Sequence, residues 1–396
     1  MFNQLPLLQA DPILGLSAAF RNDTNPSKVD LGVGVYKTEN GETPVLGSVA
    51  AAEAQLLQQQ TTKSYTPPAG IAGANRAAAE LAFGREHKVI GENRLSTVQT
   101  PGGCGALRLA AELIAKANPQ ASIWISTPTW ANHVPLLTSA GLRLKEYPYY
   151  DFAEHKIDFA AMLKTLESAG PNDLVLLHAC CHNPSGADLS REQWQQLAAL
   201  ASERGFTPFI DMAYQGFGSG IAEDAYGVRL MADTQPELVL ATSFSKNLGL
   251  YRERAGSLSI VSATHAGADA VLSQTLSIAR GLYSMPPAHG ASIVDLVYHS
   301  DELRNQWHGE LTAMRERIAG LRVQLVNALN ERQSKRDFSF IAREAGMFSF
   351  LGLSVDQVQT LKSQYSVYMT DNSRINVAGI NSNNLNYLAD AIIKVI

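Results

Sequence analysis

Three polar residues in the middle of the sequence, Asn183, Asp211 and Lys246, each stand at or just after the end of a short apolar run. In a parallel α/β sheet, ligands collect beyond the carboxyl ends of the strands, so these side chains could share one site. Each has an ordinary explanation when it is taken alone: a turn former, a helix cap and a surface lysine. Their combination of amide, carboxylate and amine favours a reactive site.

A glycine-rich segment at residues 102–105 joins a predicted strand to a predicted helix. The free N–H groups and the dipole at a helix N-terminus favour a phosphate group. The segment is not a Gly-x-Gly-x-x-Gly motif, and a plain tight turn explains it at least as well. Ser243 and Arg254 lie near Lys246 in the sequence and would add a hydroxyl group and a cation.

Together these groups supply the attachments that pyridoxal 5′-phosphate requires. Lys246 would hold the cofactor as a Schiff base, and Asp211 would keep the pyridine nitrogen protonated, which makes the ring an electron sink. Tyr214 and Asn183 could hydrogen-bond the ring oxygen and tune the acidity of the Schiff base. For Tyr214 alone, a packed core tyrosine is an equally good explanation.

The sequence around these residues alternates short apolar runs with helical patterns, which is typical of an α/β domain with a mainly parallel sheet flanked by helices. Apolar residues at helical spacing predict a helix from Ala106 to Ala117, directly behind the glycine-rich segment. The predicted strands are Leu95 to Gln99, Ile123 to Ser126, Leu174 to Ala179, Phe206 to Asp211, Leu238 to Ser243 and Gly256 to Val261.

A second unit is predicted after residue 311, where apolar residues recur at helical period over a length that could link two domains. Phe348 and Phe350 alternate like a half-buried strand, and residues 354–357 form a capping box that opens a helix. Val367 to Met369 and Ile375 to Ala378 are further predicted strands. Asparagines at residues 381–384 supply cap candidates for a final helix.

Composition excludes several classes of function. The chain has 396 residues, 45% hydrophobic and 17% charged, with a net charge of −5 and scattered basic residues, so nucleic-acid binding is not expected. The absence of a bilayer-length apolar run and of a signal-peptide pattern predicts a cytoplasmic protein that does not engage membranes. Cys104, Cys180 and Cys181 form neither a CxxC pair nor a disulfide framework, which suits a reducing compartment and predicts no metal site.

Five stretches of the sequence together resemble the class I aminotransferases, and specifically the bacterial aspartate and aromatic amino-acid aminotransferases. No single stretch is decisive, but their order and spacing are hard to reach by chance, and the likeness covers essentially the whole chain. The stretches are Asp11 to Leu16, Cys180 to Pro184, Asp211 to Phe217, Ser243 to Asn247 and Pro286 to Gly290.

This resemblance implies fold type I of the enzymes that depend on pyridoxal phosphate, with a large α/β domain and a small α/β domain. Residues 1–42 would form an N-terminal arm and part of the small domain, and residues 43–310 the large cofactor-binding domain. Residues 311–396 would supply an interdomain helix and the rest of the small domain. The resemblance also implies a homodimer with two active sites at its interface.

The same resemblance implies specific roles for residues around the cofactor. Trp130 would stack on the pyridine ring, although an interior tryptophan that packs the core is otherwise the better explanation. The phosphate group would contact Ser243, Arg254, the backbone of Gly103 and Cys104, and Tyr65 of the partner subunit.

Two arginines match substrate-binding residues of the family. Arg374 matches the arginine that binds the substrate α-carboxylate, assisted by Asn183 and the backbone of Gly34. A planar guanidinium grips a carboxylate bidentately, which explains the use of Arg rather than Lys. Arg280 matches the arginine that reaches across the dimer to the side-chain carboxylate of aspartate or glutamate. Without the resemblance, a surface salt bridge would be the default explanation of Arg280.

The reaction that the resemblance implies is amino-group transfer by a ping-pong mechanism. An amino acid would displace Lys246, whose freed amine would then act as general base and acid. Release of a 2-oxo acid would leave pyridoxamine 5′-phosphate, and 2-oxoglutarate would reverse the steps. Lyase or decarboxylase chemistry on the same lysine and aspartate, and a non-catalytic protein that keeps the fold, are the remaining alternatives.

The preferred amino donor depends on a few positions. The aspartate enzymes commonly have Asn, Thr and Asn where this chain has Ser64, Cys104 and Met285. Smaller or more apolar groups there favour large apolar side chains by about 1–3 kcal/mol per well-buried group. We therefore predict transfer from phenylalanine, tyrosine and tryptophan with overlapping aspartate and glutamate activity, and aspartate aminotransferase as the alternative. Positions that match the aspartate enzymes are Val35, Lys37 and Thr43.

Overall fold

The computed structural model describes residues 1–7 and 12–396. The described chain divides into two compact units: unit 1 comprises Met1–Thr43 and Arg317–Ile396, and unit 2 comprises Pro44–Glu316. The predicted domain boundaries lay after residues 42 and 310, whereas the second division falls inside a long helix. Asp11, which opens the first family-like stretch, lies outside the described residues.

The strands are short, and the longest lie in unit 2. In chain order they are β1 (Val29–Asp30), β2 (Leu95–Pro101), β3 (Ser122–Thr127), β4 (Arg143–Pro148), β5 (Tyr150–Asp151), β6 (Lys156–Ile157), β7 (Asp173–His178), β8 (Thr207–Met212), β9 (Leu238–Ser243), β10 (Ala255–Val261), β11 (Phe348–Phe350), β12 (Val367–Tyr368) and β13 (Arg374–Asn376). The six predicted strands of the α/β region correspond to β2, β3, β7, β8, β9 and β10.

Helices separate most of these strands, as expected for an α/β protein. They are α1 (Pro12–Asn22), α2 (Gly47–Gln59), α3 (Ala72–Phe83), α4 (Lys88–Gly91), α5 (Gly102–Ala117), α6 (His133–Thr138), α7 (Phe159–Leu166), α8 (Arg191–Arg204), α9 (Tyr226–Thr234), α10 (His265–Leu282), α11 (Ala288–His299), α12 (Asp301–Glu331), α13 (Phe340–Arg343), α14 (Val355–Tyr365) and α15 (Leu385–Val395). Short 3-10 helices cover Phe2–Gln4 and Val377–Gly379.

Unit 2 is organised around a seven-stranded sheet with the order β2-β10-β9-β8-β7-β3-β4. Strand β10 runs antiparallel to β2 and β9, whereas the remaining neighbours pair in parallel. The central strands β8 and β9 are buried along nearly their whole length, as expected for strands covered on both faces. The carboxyl ends of all strands except β10 therefore meet at one edge, which we call the carboxyl edge.

Helix α5 packs on this sheet within the hydrophobic core of unit 2. Its sequence is rich in Ala and Leu, which are strong helix formers, and Leu107, Ala110 and Ile114 are buried among strand residues such as Phe209 and Leu258. Each fully buried leucine or isoleucine contributes about 1.5–3 kcal/mol. Because β2 ends at Pro101 and α5 begins at the next residue, this packing fixes the N-terminus of α5 at the carboxyl edge.

Unit 1 contains two small sheets, one of β1 paired with β12 in parallel and one of β11 paired with β13 antiparallel. The capping box that was predicted for residues 354–357 is present: Ser354 and Gln357 exchange side-chain and backbone hydrogen bonds at the start of α14. Helix α15 buries Leu388 and Ile392, the face predicted for the final helix. Unit 1 therefore follows its apolar pattern closely.

Two expectations about strands were wrong. Strand β4 was not predicted, because Arg143–Pro148 carries charged residues at the edge of the sheet and shows no apolar run. The predicted strand from Ile375 to Ala378 ends at Asn376. The Asn376 side chain accepts a hydrogen bond from the Ala378 N–H and donates to two carbonyl groups, which turns the chain into a 3-10 helix. Within the described ranges, every helix is too short or too polar to cross a membrane.

Candidate active site

Strand register brings the predicted polar residues together at the carboxyl edge. His178 of β7 pairs with Asp211 of β8, and Asp211 pairs with Ala241 of β9. Ser243 closes β9 two residues later, where the chain turns toward Lys246. Three neighbouring strands therefore deliver an imidazole, a carboxylate and a hydroxyl to the carboxyl edge.

Lys246 lies in a partly buried position beside Tyr214. Its Nζ is 4.5 Å from the centre of the Tyr214 ring. Burial lowers the pKa of the Lys246 amine, and the positive charge of Arg254 lowers it further, against the opposing effects of Asp211 and Cys104. A lowered pKa increases the share of neutral amine, the form that attacks a carbonyl carbon.

Asp211 is buried, and its Oδ2 lies 3.0 Å from Nε2 of His133. Thr129 Oγ1 lies 2.8 Å from the other ring nitrogen of His133 and thereby fixes the orientation of the ring. Burial raises the pKa of the Asp211 carboxyl, but the hydrogen bond with His133 and the electrostatic effect of neighbouring basic groups, Lys246 among them, outweigh burial and lower it overall. An ionised carboxylate can hold a proton on a neighbouring pyridine nitrogen.

The imidazole rings of His178 and His182 form a row with the ring of His133. The ring of His178 is centred 5.3 Å from that of His133 and 4.2 Å from that of His182. Nε2 of His182 lies 3.2 Å from the Ser126 hydroxyl and Nδ1 lies 2.8 Å from the Ser185 hydroxyl. Burial lowers the pKa of His178 to about 3 and lowers that of His182 well below 6.5. Both rings are therefore neutral near pH 7.

Donor atoms of His133, His178 and Asp211 lie within 4.8 Å of one another, a spacing that a metal ion would also accept. The hydrogen bond between His133 and Asp211 gives these two residues a role without a metal. The predicted absence of a metal site remains a prediction.

The N-terminus of α5 forms a cradle with Ser243 and Arg254. A Cβ atom added to Gly103 would lie 3.3 Å from Cβ of Ser243, and one added to Gly102 would lie 2.5 Å from Nη2 of Arg254. Gly102 also has φ of +68°, a conformation that favours glycine. Backbone N–H groups, a hydroxyl and a guanidinium thus converge where the helix dipole favours an anion.

Asn183 lies in a loop after β7 that the carboxylate of Asp188 holds. This carboxylate accepts hydrogen bonds from the backbone N–H groups of Cys181 and His182 at 2.6 and 2.8 Å. Asn183 is buried, yet its Oδ1 has no hydrogen-bond partner within residues 1–7 and 12–396. An orphaned buried acceptor costs about 1–3 kcal/mol, a cost that a ligand with a donor group removes.

These residues fit pyridoxal phosphate. The cradle matches a phosphate group, the ionised Asp211 matches a pyridine nitrogen, and the orphaned Asn183 oxygen matches a donor on the ring substituents. Lys246 supplies the amine for covalent attachment. The fit concerns residues of unit 2 only.

Trp130 and Cys104 lie beside this group. Trp130 is partly buried and meets His133 edge to face, with ring centres 5.3 Å apart. Cys104 lies in the first turn of α5, and its sulfur accepts a hydrogen bond from the Asn132 amide at 3.7 Å. Both predicted site residues are therefore near the partners of Asp211 and Lys246.

Tyr65 and Arg280 are predicted site residues that are exposed in the single chain. The side chain of Tyr65 is 92% exposed. Arg280 is exposed as well, and its Nη1 donates to the Ser284 hydroxyl. Across the described residues, no hydrogen bond or ion pair connects either side chain with the group around Lys246. Met285, nearby in sequence, accepts a hydrogen bond from Thr66 Oγ1 at 3.7 Å.

Arg374 and Gly34 lie together in unit 1 around one aromatic ring. The Arg374 guanidinium carbon is 4.4 Å from the centre of the Phe348 ring, and Nη2 donates to the Gly32 carbonyl at 2.9 Å. A Cβ added to Gly34 would lie 2.8 Å from Cζ of Phe348, so only glycine fits there without a shift. Within unit 1, these contacts hold the guanidinium of Arg374 in a fixed orientation.

Sequence reasoning missed three residues that hold the site in place. They are His133 and Asp188, described above, and Asp224, whose carboxylate accepts hydrogen bonds from four backbone N–H groups in residues 216–220. Each of them acts across a loop, where no periodic pattern marks a position. His178 was visible at the end of a predicted strand but had no role assigned.

Comparison with known proteins agrees with this geometry. The family model for aminotransferases of class I and II matches residues 26–392. The aspartate aminotransferase of Salmonella typhi is 48% identical over 396 residues, and the match covers 100% of each chain. The aromatic-amino-acid aminotransferase of Pseudomonas aeruginosa is 45% identical over 394 residues, covering 100% of this chain and 98% of that protein.

A solved structure provides the corresponding comparison of folds. The aromatic-amino-acid aminotransferase from Burkholderia pseudomallei, covalently bound to pyridoxal phosphate, matches with a TM-score of 0.98 and 42% identity, covering 100% of this chain and 99% of that chain. Fold type I, with its mainly parallel sheet flanked by helices, is thereby confirmed, as is the cofactor. The chain belongs to the family of class I and II aminotransferases and is a pyridoxal phosphate-dependent transaminase.

Proposed function

We propose that this transaminase takes its amino group mainly from phenylalanine, tyrosine and tryptophan, also accepts aspartate and glutamate, and passes the amino group to 2-oxoglutarate. The observation that carries the proposed site is the convergence at the carboxyl edge of an amine with a lowered pKa, a paired carboxylate and an anion cradle. The preference for aromatic donors is supported by Cys104 and Met285.

The proposed site holds the cofactor at three places on unit 2. Lys246 Nζ would bind it covalently, and Asp211 would hold the proton of its pyridine nitrogen. Ser243, Arg254 and the backbone N–H groups of Gly103 and Cys104 would bind the phosphate. Trp130 would cover one face of the ring, and Asn183 and Tyr214 would contact the ring oxygen. When bound, pyridoxal phosphate supplies an electron sink for the bonds at the substrate Cα.

Lys246 is also the proposed proton carrier. Once a substrate amine has taken its place, Nζ would accept the proton from the substrate Cα and would deliver a proton to C4′ of the cofactor. The lowered pKa of Lys246 supports this role, because a base works best when a large share of it is unprotonated near working pH. The Tyr214 ring at 4.5 Å limits where Nζ can move.

Two arginines would bind the carboxylates of substrates. Arg374, with Gly34 beside the same aromatic ring, would bind the α-carboxylate, and Asn183 would add an amide donor. Arg280 would bind the second carboxylate of aspartate, glutamate or 2-oxoglutarate across the proposed dimer. Bidentate binding by a guanidinium fixes the direction of the substrate Cα–H bond, which is what proton removal requires.

The preference for aromatic donors depends on how polar the substrate pocket is. The thiol of Cys104 and the thioether of Met285 stand where aspartate enzymes commonly have Thr and Asn. Sulfur atoms are weak hydrogen-bond acceptors and polarizable neighbours for aromatic rings. The aromatic relatives from Pseudomonas and Burkholderia agree with this preference. The aspartate relative from Salmonella has similar identity, so aspartate aminotransferase is the alternative.

A direct test compares kcat/KM for phenylalanine, tyrosine and aspartate with 2-oxoglutarate. We expect the aromatic donors to exceed aspartate, and Met285→Asn to lower the ratio of phenylalanine to aspartate by about 5- to 100-fold. Val323→Asn, a change at an exposed residue of α12, is the control and should leave the ratio unchanged. A strong preference of the wild type for aspartate would favour the alternative.

We also propose a homodimer in which each active site uses Tyr65 of the partner subunit. Large exposed side chains support an interface, since Tyr65, Leu57 and Val45 are 92%, 85% and 70% exposed. A mixture of Lys246→Ala chains with Tyr65→Glu chains tests this arrangement. Hybrid dimers would contain one intact site and regain activity, whereas two independent monomeric sites would stay inactive.

A cytoplasmic location is proposed on the basis of the cysteines. No disulfide bond joins Cys104, Cys180 or Cys181 to another described residue, and Cys104 lies partly exposed at the proposed phosphate cradle. Reducing compartments keep such thiols in this state. Fractionation of cells that express the untagged protein should recover its activity with cytoplasmic markers.

A further inference from the structure

A second cavity lies in unit 2 at the opposite edge of the sheet from Lys246. It has a volume of about 360 Å³ and is lined by the starts of β7, β8 and β9, the end of β10, and parts of α5 and α10. The six residues of β9 run from one edge of the sheet to the other and span roughly 17 Å. Pockets of about 300–1,000 Å³ are typical of small-molecule sites. The cavity is therefore distinct from the cofactor site and large enough for a ligand.

Much of the wall of this cavity is apolar. Leu113 and Ile114 of α5, Val271 of α10, and the strand residues Val239 and Ile260 line it. Ile114, Val239 and Ile260 are buried, and each retains about 8% exposure or less. An apolar body placed between α5 and α10 would remove the remaining apolar surface from water, which is favourable at roughly 25 cal/mol per Å².

Glu237 and Ser262 lie at one end of the cavity. Ser262 is 2% exposed, and its Oγ has no hydrogen-bond partner in the described part of the chain. Leu238 of β9 pairs with Val261 of β10, so the next residues along this antiparallel pair, Glu237 and Ser262, are cross-strand neighbours. Both line the cavity. Ser262 Oγ has no accessible surface, so the Glu237 carboxylate is the group that a ligand in the cavity can reach.

The charges around the cavity select the class of ligand. Glu237 is exposed, and no ion pair joins it to a basic residue of the described ranges. Asp173, the other carboxylate of the lining, pairs with Lys145 at 3.0 Å. Arg94 donates to the carbonyl groups of Pro236 and Ser262 but pairs with Glu92 at 2.8 Å. Among the described lining residues there is no Lys, Arg or His, so carboxylate substrates and phosphates have no counter-ion there.

We propose that this cavity binds a small aromatic amine in its protonated form. The ring would lie between α5 and α10, and the ammonium group would donate a hydrogen bond to the Glu237 carboxylate. Such a ligand has the apolar body that the wall accommodates and the positive charge that the unpaired carboxylate attracts. The site needs no residue of the cofactor group.

The probe for this site is N,N-dimethyl-2-phenylethylamine, titrated calorimetrically into the holoenzyme at pH 7. A tertiary amine is protonated at this pH and cannot form a Schiff base, so it does not react with the cofactor. We expect saturable binding of one molecule per chain, with a dissociation constant on the order of millimolar for so small a ligand.

Two variants locate the binding. Ala270 of α10 lines the cavity and is exposed, so Ala270→Trp can fill the space without disturbing the core, and we expect it to abolish binding. Ala266→Trp, on an exposed residue of the same helix that does not line the cavity, is the matched control and should bind the probe as the wild type does. Glu237→Gln should weaken binding by about two- to fivefold.

Three results would overturn the proposal. They are the absence of saturable heat with the wild type, unchanged binding by Ala270→Trp, and unchanged affinity of Glu237→Gln. Transaminase activity should stay at the wild-type value in all three variants. This would show that the variants are correctly folded when their binding is measured.

Discussion

The cofactor group of unit 2 and the arginine group of unit 1 are built on different supports. Asp211 and Ser243 stand near the ends of parallel strands whose register fixes their spacing, and Lys246 follows β9 by three residues. Arg374 instead stands on β13, a strand of three residues, and is held by the Gly32 carbonyl and the Phe348 ring. One support is a buried sheet, and the other is a few side-chain and loop contacts.

The difference matches the chemistry expected of each group. Proton transfer and covalent attachment need several polar groups in fixed positions. Binding a carboxylate needs one planar cation in the right orientation. All nine histidines of the chain lie in residues 44–316, so pH-dependent effects of histidine belong to unit 2. Variants of the two groups should therefore fail in different ways.

The largest effect is expected for Lys246→Ala in unit 2. The chain would lose both its proposed covalent link to the cofactor and its proposed proton carrier, so kcat should fall on the order of 10⁴-fold or more. Borohydride treatment followed by mass spectrometry should find cofactor attached to the wild type and not to the variant. Lys156→Ala, at an exposed lysine of β6, is the control. Attachment to the variant would contradict the assignment of Lys246.

The next largest effect is expected for Asp211→Asn. The amide has nearly the same shape but cannot hold the pyridine proton by charge, so kcat should fall by about 10²- to 10⁴-fold. Steady-state kinetics and a substrate deuterium isotope effect at Cα measure the change. The isotope effect should increase, because proton removal becomes the slow step. A variant with an altered KM and an unchanged kcat would place Asp211 outside the reaction.

A different failure is expected for Arg374→Lys in unit 1. Loss of a bidentate, charge-assisted contact should lower kcat/KM by about 10- to 100-fold, mainly through KM, and leave covalent attachment of the cofactor intact. Arg343 lies on α13 in the same unit, and the control variant Arg343→Lys should leave kcat/KM unchanged. Loss of cofactor attachment in Arg374→Lys would show that the two groups do not act separately.

The lowered pKa values of His178 and His182 in unit 2 predict that the folded protein loses stability in acid. The pKa of His178 is about 3 in the folded protein and near 6.5 in the unfolded chain, so the unfolded chain binds the proton first as pH falls. Stability should decrease below pH 6.5 by about 1.4 kcal/mol per pH unit for each such histidine, or roughly tenfold in the unfolding constant. Urea midpoints at pH 7 and pH 5 should differ less in His178→Leu than in the wild type, and equal differences would contradict this.

The smallest effect is expected for Phe348→Leu. The change removes a cation–π contact of 4.4 Å but keeps an apolar side chain beside Gly34, so kcat/KM should fall by about two- to fivefold. Phe338→Leu, at a buried phenylalanine elsewhere in unit 1, separates this effect from general destabilisation. A fall in kcat/KM with the control and not with Phe348→Leu would show that the ring does not orient Arg374.

Strand positions were predictable because buried parallel strands have continuous apolar runs. The predicted strands that end at Ala179, Asp211 and Ser243 lie within one residue of their observed bounds. Strand β4 was not predicted, because its charged residues lie at the edge of the sheet, where water solvates them. The hydrogen bond between Asp211 and His133 was not predicted for another reason. The two residues are 78 positions apart, and His133 lies on a short helix without a diagnostic pattern.

The sequence by itself determined the fold class, the cofactor chemistry expected of Lys246 and the family, because these depend on residue types in order along the chain. Tertiary structure decided which side chains support that chemistry. Burial lowers the pKa of Lys246, the distant His133 lowers that of Asp211, and the packing of α5 brings Gly103 to Ser243. The physical reason is that desolvation and hydrogen bonding depend on neighbours in space, which residue order alone does not specify.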